Sequence, residues 1–330
     1  MFRKATYATV SGGDAHHDVL LSNLAVSAFD TGVDGLIGNK LFPRVPVGKQ
    51  SDRYAIINKG AFLRVPNTRR APRTQANRVE FTASSDRYFA DNFALAGEIP
   101  LEDLNNADIA FQLRENTTSL VIGDLLRDQE QRIINLVTSA SNLGSGTILS
   151  GANQWSDFVN SDPLGDVTTG HAFIRKQTGL VANTMAMDWD VFQLIRRHPS
   201  LLDMYKYTNG GMLDDTQLKA AFRVDNLLIS RAVKENNRES DIPAAASSMT
   251  ALWGTGVLLA HIEPGVSLQT RTLGLRFGWT PPIYPADMAV GTAREEGPGK
   301  RNVEIIEAGY YQDEKLVAAD LGYLIASVVA

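Results

Sequence analysis

NADIAFQLRENTTSLVIGDLLRDQEQRIINLVTSA, residues 106–140, is the stretch on which the fold turns. It holds no proline and one glycine, Gly123. Asn106 is placed to cap its start, and Ile109, Leu113, Leu120, Leu125, Ile133 and Leu136 recur at mostly helical spacings. The spacing predicts one helix of about 33 residues, about 50 Å long at 1.5 Å per residue. Globular helices average about 11–12 residues, so a rod of this length reads as a scaffold element.

Upstream the pattern changes to strand. SDRYAIINKG (51–60) alternates, with Tyr54 and Ile56 on one face and Ala55 and Ile57 on the other. RVEFTASSDRYFADNFALA (78–96) behaves similarly, with Val79 and Phe81 on one face. Between them lies RVPNTRRAPRT (64–74), with four arginines and two prolines. This predicts a long hairpin with a proline-broken tip. Arms of about 20 residues would reach about 60–70 Å if fully extended. An isolated two-stranded hairpin is marginal in water, so this one needs an outside surface to lie on.

The remaining chain is read in order. DVLLSNLAVSAFD (18–30) predicts a short amphipathic helix, and GLIGNKLFPRVPVGKQ (35–50) an extended segment broken by Pro43 and Pro46. After the long helix comes a loop-rich stretch with a short strand at Thr147–Leu149, then a helix over 167–180. NTMAMDWDVFQLIRRHPSLLDMYKY (183–207) passes from a strand into a helix near Asp188 that stops at His198–Pro199. NLLIS (226–230) is a strand. NVEIIEAGYYQDEKLVAADLGYLIASVVA (302–330) reads as two strands joined by a polar turn around Gln312–Glu314.

Composition narrows the chemistry. The 330 residues are 44% hydrophobic, enough for a sizeable core. Cysteine is absent, which excludes disulfides and every Cys-based site. No apolar run approaches the roughly 18 residues of a membrane span, and the basic N-terminus lacks an apolar segment behind it. A protein made in the cytoplasm and not held by a membrane is expected. Net charge is −5, unevenly spread: residues 1–98 carry thirteen Lys and Arg against nine Asp and Glu, the rest nineteen against twenty-eight. A basic front and an acidic back let copies of one chain attract each other.

Candidate sites dissolve one by one. His16–His17 lie beside Asp14 and Asp18, but the other histidines (His171, His198, His261) are scattered, so a solvated tail is expected and no metal site. GPGK (297–300) has Arg294 and Arg301 where a phosphate loop needs Gly and Ser or Thr. Gly274 and Gly278 are too sparse for a dinucleotide fingerprint. The carboxylate pairs Glu102/Asp103, Asp188/Asp190, Asp214/Asp215 and Glu295/Glu296 adjoin helix starts, turns or loops. No catalytic residue and no cofactor is expected. What remains is the basic run Lys49, Arg53, Lys59, Arg64, Arg69, Arg70, Arg73 and Arg78, in which Asp52 is the only acid. Nucleic-acid readers interleave exposed aromatics with such charge, and only Tyr54 and Phe62 are present. Arginine equally suits bidentate ion pairs between proteins.

The order of these features, LFPRVPVGKQSDRY into a hairpin, RRAPRT at its tip, SSDRYFADNFALAGEIP returning, then the long helix, resembles the major capsid proteins of tailed double-stranded DNA bacteriophages. The resemblance is densest over 20–140 and continues through the Asn183–Met187 strand, LIRRHPSLL and the C-terminal LGYLIASVV. It implies an α+β capsid fold: an N-terminal arm at 1–48, an extended loop at 49–99 that lies over an adjacent subunit, and a peripheral domain at 100–180 with its spine helix at 104–140. A central axial domain follows at 181–300, and strands at 301–330 return to the peripheral domain. The implied function is structural, a non-enzymatic subunit forming pentamers and hexamers of an icosahedral virion shell around double-stranded DNA. That reading makes Arg53, Lys59, Arg64, Arg69, Arg70, Arg73 and Arg78 inter-subunit contacts.

The implied partners are copies of the same chain, a portal, a decoration protein where one is used, and packaged DNA through non-specific contact. Some relatives carry a scaffolding segment of about a hundred residues at the N-terminus, or an inserted domain. Neither is visible here, so a separate scaffolding protein is implied, with assembly in the host cytoplasm. Some relatives cross-link through Lys and Asn, and no pattern here points to that. Encapsulin-like compartments share the fold and are the nearest alternative. A DNA-binding module built on residues 49–78 is a further one, and a hydrolase is the remotest.

Overall fold

The computed structural model describes residues 16–17, 35–57, 60, 63–79, 83–106, 110–205, 212–236, 248–263, 265, 270–282, 288–296 and 302–330. Strands in chain order are β1 (His16–His17), β2 (Arg44–Val47), β3 (Ser51–Ile57), β4 (Ala83–Phe89), β5 (Asp91–Pro100), β6 (Gly146–Ile148), β7 (Thr184–Asp188) and β8 (Asn226–Ser230). They continue as β9 (Val233–Glu235), β10 (Met249–Ala251), β11 (Val257–Ala260), β12 (Gly274–Trp279), β13 (Met288–Glu296), β14 (Asn302–Leu316) and β15 (Gly322–Ala326). The α-helices are α1 (Gly38–Leu41), α2 (Leu101–Asn106), α3 (Ala110–Thr138), α4 (Ala140–Leu143), α5 (Pro163–Thr178), α6 (Trp189–Ile195), α7 (Pro199–Tyr205) and α8 (Asp215–Phe222).

Two large sheets and one rod organise these elements. The six-stranded sheet runs β1-β13-β14-β12-β2, with β5 paired to β14. The five-stranded sheet runs β6-β15-β11-β7-β8. The rod is α3, 29 residues and about 43 Å long. Its first half packs Val121, Ile122, Leu125 and Leu126 with Met288, Val290, Ile306, Ala308 and Tyr310 of the first sheet. Its second half packs Ile133, Ile134 and Val137 with Ala186, Leu258, Ala260 and Leu324 of the second. One unbroken helix therefore spans both cores.

Charged side chains tie the rod to its neighbours. Arg114 grips Glu304 of β14 through Nε and Nη2 at 2.6 and 2.8 Å. Arg132 donates to both carboxylate oxygens of Glu314 (3.2 and 3.0 Å) and to the Tyr310 hydroxyl (3.0 Å). Glu130, buried on α3, accepts from Ile37 N (3.0 Å) and Gly38 N (2.6 Å) at the start of α1. Burial pushes the Glu130 carboxyl up, and the two amides and Arg276 oppose that shift. Gly38 suits this clamp, since a Cβ there would lie 2.5 Å from Glu130 Oε2.

The second sheet is covered by α5. Asp162 caps this helix by accepting from Gly165 N at 3.0 Å, and Pro163 opens it. Gly179 closes it at φ 76°, the left-handed conformation that glycine adopts without strain. Nearby, His198 is buried between Ser161 Oγ (Nε2, 3.0 Å) and Ser200 Oγ (Nδ1, 2.7 Å). Burial lowers its pKa, and Asp162 opposes that only in part. A base depressed in the fold contributes stability that is fully present above its unfolded value, about 6.5, and is lost as pH falls toward the folded value. His198→Gln is therefore expected to flatten the decline of Tm as pH falls below about 6.5 relative to wild type. Parallel melting curves of the two proteins would show this, and equal slopes would contradict it.

The structure keeps most sequence expectations and corrects several. Strands at NLLIS and 184–188 and the break at His198–Pro199 lie where the residues placed them, and the helix expected over 167–180 runs instead from Pro163 to Thr178, opened by Pro163 and closed by Gly179. The predicted polar turn at Gln312–Glu314 falls inside β14, a single 15-residue strand. Two of its polar residues meet packing partners: Glu314 meets Arg132, and Asp313 the amide of Phe89. The chain turns instead near 317–321, and β15 joins the five-stranded sheet, not the sheet that holds β14. Among the described residues the hairpin ladder holds seven pairs, and β5 leaves it to pair with β14. His16–His17 form a short strand against Thr292 and Gly291 where a solvated tail was expected. Glu295 and Glu296 close β13. Residues 35–50 hold a helix and a parallel edge strand that accommodates Pro46. The expected 18–30 helix and GPGK lie outside the described residues.

Candidate assembly interface

The hairpin is a stem and a tip with opposite characters. Its stem pairs β3 with β4 from Ser51↔Phe89 to Ile57↔Ala83. One face is anchored: Tyr54 and Tyr88 are buried with Val45, Leu275 and Phe277. The Tyr88 ring stacks on Phe277 at 4.7 Å between centroids and 13° between planes, and Tyr54 meets the same ring at 5.1 Å. Such aromatic pairs add about 0.5–1.5 kcal/mol beyond area burial.

Polar contacts finish the anchor. The Tyr54 hydroxyl donates to Asp86 Oδ2 (3.1 Å) and the Tyr88 hydroxyl to the Lys49 carbonyl (3.2 Å). Burial pushes both phenols above their ordinary range, reinforced by Asp86 at Tyr54 and by Asp52 at Tyr88, so both remain donors at neutral pH. Phe89 N donates to Asp313 Oδ2 at 2.9 Å, and Ala90 N to the Gln50 carbonyl at 2.9 Å. The base of the stem is thereby fixed to β12 and β14.

The tip has no comparable anchor among the described residues. Residues 63–79 form neither helix nor strand, and every one of them is exposed. Val65 is 94% exposed and Val79 67%, values that leave no room for a buried role within this chain. The tip holds its own course by local bonds: Arg69 N to Asn67 Oδ1 (3.0 Å), Thr74 Oγ1 to the Ala71 carbonyl (2.8 Å) and Asn77 Nδ2 to the Asn67 carbonyl (2.7 Å). Arg73 adopts φ 65°, a left-handed turn conformation uncommon outside glycine.

The structure gathers Arg64, Arg69, Arg70, Arg73 and Arg78 onto this tip, and none forms an ion pair with a described residue. Arg53 stands apart on the stem, and Lys59 lies outside the described residues. Sequence reasoning missed Arg87, which faces Arg53, and the anchors Phe277 and Asp313. The alternation around Tyr88 was a visible signal, whereas Phe277 is remote in sequence and gave none.

No group of three His, Asp or Glu among the described residues could hold a metal ion. His171, His198 and His261 bond separately, to the Phe222 carbonyl, to Ser161 and Ser200, and to the Val181 carbonyl. No described helix is long and apolar enough to cross a membrane. The arrangement presents charge on a lever.

The architecture is a capsid-like α+β fold resembling the major capsid proteins of tailed phages. The major capsid protein of Pseudomonas phage JBD67 is 26% identical over 302 residues, covering 89% of this chain and 92% of that protein. The major capsid protein of Burkholderia phage BcepMu is 26% identical over 316 residues, covering 94% and 96%. The crystal structure of a phage-related protein from Bordetella bronchiseptica RB50 superposes with a TM-score of 0.72 at 22% identity, covering 94% and 97%. No family model matches the chain.

Proposed function

We propose that this chain is a structural major capsid protein, assembling through pentamers and hexamers into an icosahedral virion shell around double-stranded DNA. The observation that carries the reading is end-to-end likeness to two phage major capsid proteins. The hairpin supplies the physical means, with a base rooted in its own subunit and a cationic tip that forms no ion pair with a described residue. Each such contact is modest, and repetition around a closed shell multiplies it.

In this reading residues 1–48 are the N-terminal arm and 49–99 the extended loop, whose return leg continues as β5 against α3. Residues 100–180 with the 104–140 spine form the peripheral domain, and 181–300 the axial domain. The tip arginines, with Arg53 and Lys59, contact neighbouring subunits. A separate scaffolding protein and a portal complete assembly in the host cytoplasm, a decoration protein binds outside where one is used, and DNA is met only through non-specific charge. The role is structural and not catalytic. Electron microscopy of the purified protein tests this: closed shells are expected, with nuclease-protected DNA in particles from infected cells. Discrete monomers under all assembly conditions, or shells built around a protein cargo, would overturn it.

A further inference from the structure

Arg53 and Arg87 occupy directly opposed positions in the stem. Side chains so opposed have Cβ atoms about 4.5–5.5 Å apart, and like charges there are destabilising. Both residues are exposed, and neither forms an ion pair with a described residue. The carboxylates beside them in the stem are engaged elsewhere, while Asp91 and Asp313 line a pocket with Ser51, Arg87 and Phe89 without an ion pair to either arginine. Asp52 accepts from Arg53 N at 2.8 Å through Oδ1 and pairs with Lys49 at 3.3 Å through Oδ2. Asp86 accepts from Arg87 N at 2.8 Å through Oδ1 and from the Tyr54 hydroxyl at 3.1 Å through Oδ2. Strand alternation places both acids on the face of Tyr54 and Tyr88. The arginine face reads Ser51, Arg53 and Ala55 on one strand and Ser85, Arg87 and Phe89 on the other, with no carboxylate.

We propose that Arg53 and Arg87 form a two-guanidinium clamp that receives a carboxylate from a second copy of this chain. The hydroxyls of Ser51 and Ser85 are further donors on the same face. This deepens the shell reading above and rests on it. A guanidinium fork matches a carboxylate in bidentate geometry, and two forks side by side over-determine its position. A neighbouring carboxylate also removes the repulsion that the isolated subunit carries. The second copy is the partner favoured by charge, since the chain beyond residue 98 holds twenty-eight acids against nineteen bases. Among the described residues Phe89 is the one aromatic side chain on this face, too little for base stacking along a nucleic acid.

Arg87→Glu separates this clamp from a merely structural pair. In the subunit it replaces two opposed cations with an attractive pair, so Tm is expected to hold or rise. In assembly it repels the incoming carboxylate, and shell yield at physiological ionic strength is expected to fall about tenfold or more, with Arg87→Lys keeping most of it. Shells at wild-type yield and DNA content would overturn the clamp. Shells at wild-type yield holding less DNA would overturn it in favour of a phosphate contact. A lowered Tm with lost assembly would also overturn it, by showing that the stem itself had failed. If the wild-type protein forms no closed shells, the shell reading fails separately. Sedimentation then decides the clamp: loss of residual self-association in Arg87→Glu supports it, and no difference from wild type refutes it.

Discussion

Replacing Arg69 and Arg70 together by glutamate is expected to abolish closed shells while leaving the subunit folded. Both side chains are exposed and neither meets a described counter-charge, so unfolding stability should move by no more than about 0.5 kcal/mol. The tip's course depends on Asn67, Ala71, Thr74 and Asn77 and on the amide of Arg69, all of which the substitutions retain. Assembly is another matter. Reversing two charges turns attraction toward an acidic neighbour into repulsion costing several kcal/mol at each copy of the contact. A shell repeats that contact at every subunit, so a penalty tolerable in a dimer prevents closure. Electron microscopy and sedimentation of the mutant lysate read the assembly, and a melting curve reads the fold. Normal shells in normal yield would sink the idea. Arg69→Gln with Arg70→Gln, which removes charge without reversing it, should fall between, with a yield less sensitive to salt than that of wild type.

The rod and several strands were legible because local pattern sufficed for them. A proline-free run with recurring apolar residues gave α3, and its true face follows from what the residues touch. Leu120, counted on the apolar stripe, is 62% exposed, while Thr118, Gln129 and Glu130 are buried. Periodicity assumes one wet side, and α3 is covered by two sheets and by α1, so polar residues bury wherever a partner waits. Glu130 caps α1 in this way, and no feature of its own segment announces it. The same cause hid the length of β14. Gln312, Asp313 and Glu314 resemble a turn until Arg132 and Phe89 N arrive from segments roughly 180 and 220 residues away. The hairpin was legible in place and in charge but not in extent, because the change of partner at Ala90 depends on β14.

Phe277→Ala tests whether that distant anchoring, and not charge alone, sets the hairpin in place. Phe277 is fully buried, and its ring is the shared floor under Tyr54 and Tyr88. Truncating a buried Phe costs about 3–5 kcal/mol through lost transfer energy and the cavity left behind. The expected Tm loss is on the order of 6–15 °C. The damage should be uneven. The β12–β14 ladder and the α3 core do not depend on this ring, whereas the stem's buried face rests on it together with Val45 and Leu275. Trypsin should cut the wild-type hairpin first at the exposed tip arginines, and in Phe277→Ala it should also reach Arg53 and Arg87 as the stem frays. Phe277→Leu, which keeps most of the volume, should retain stem protection at a smaller cost. If Phe277→Ala keeps wild-type Tm and stem protection, the anchor is not where the geometry puts it. If it loses the stem and fails to assemble with every tip arginine intact, then charge on the tip acts only when the stem delivers it. A lever is useful to a shell for that reason: its contact energy depends on a fulcrum inside the subunit that made it.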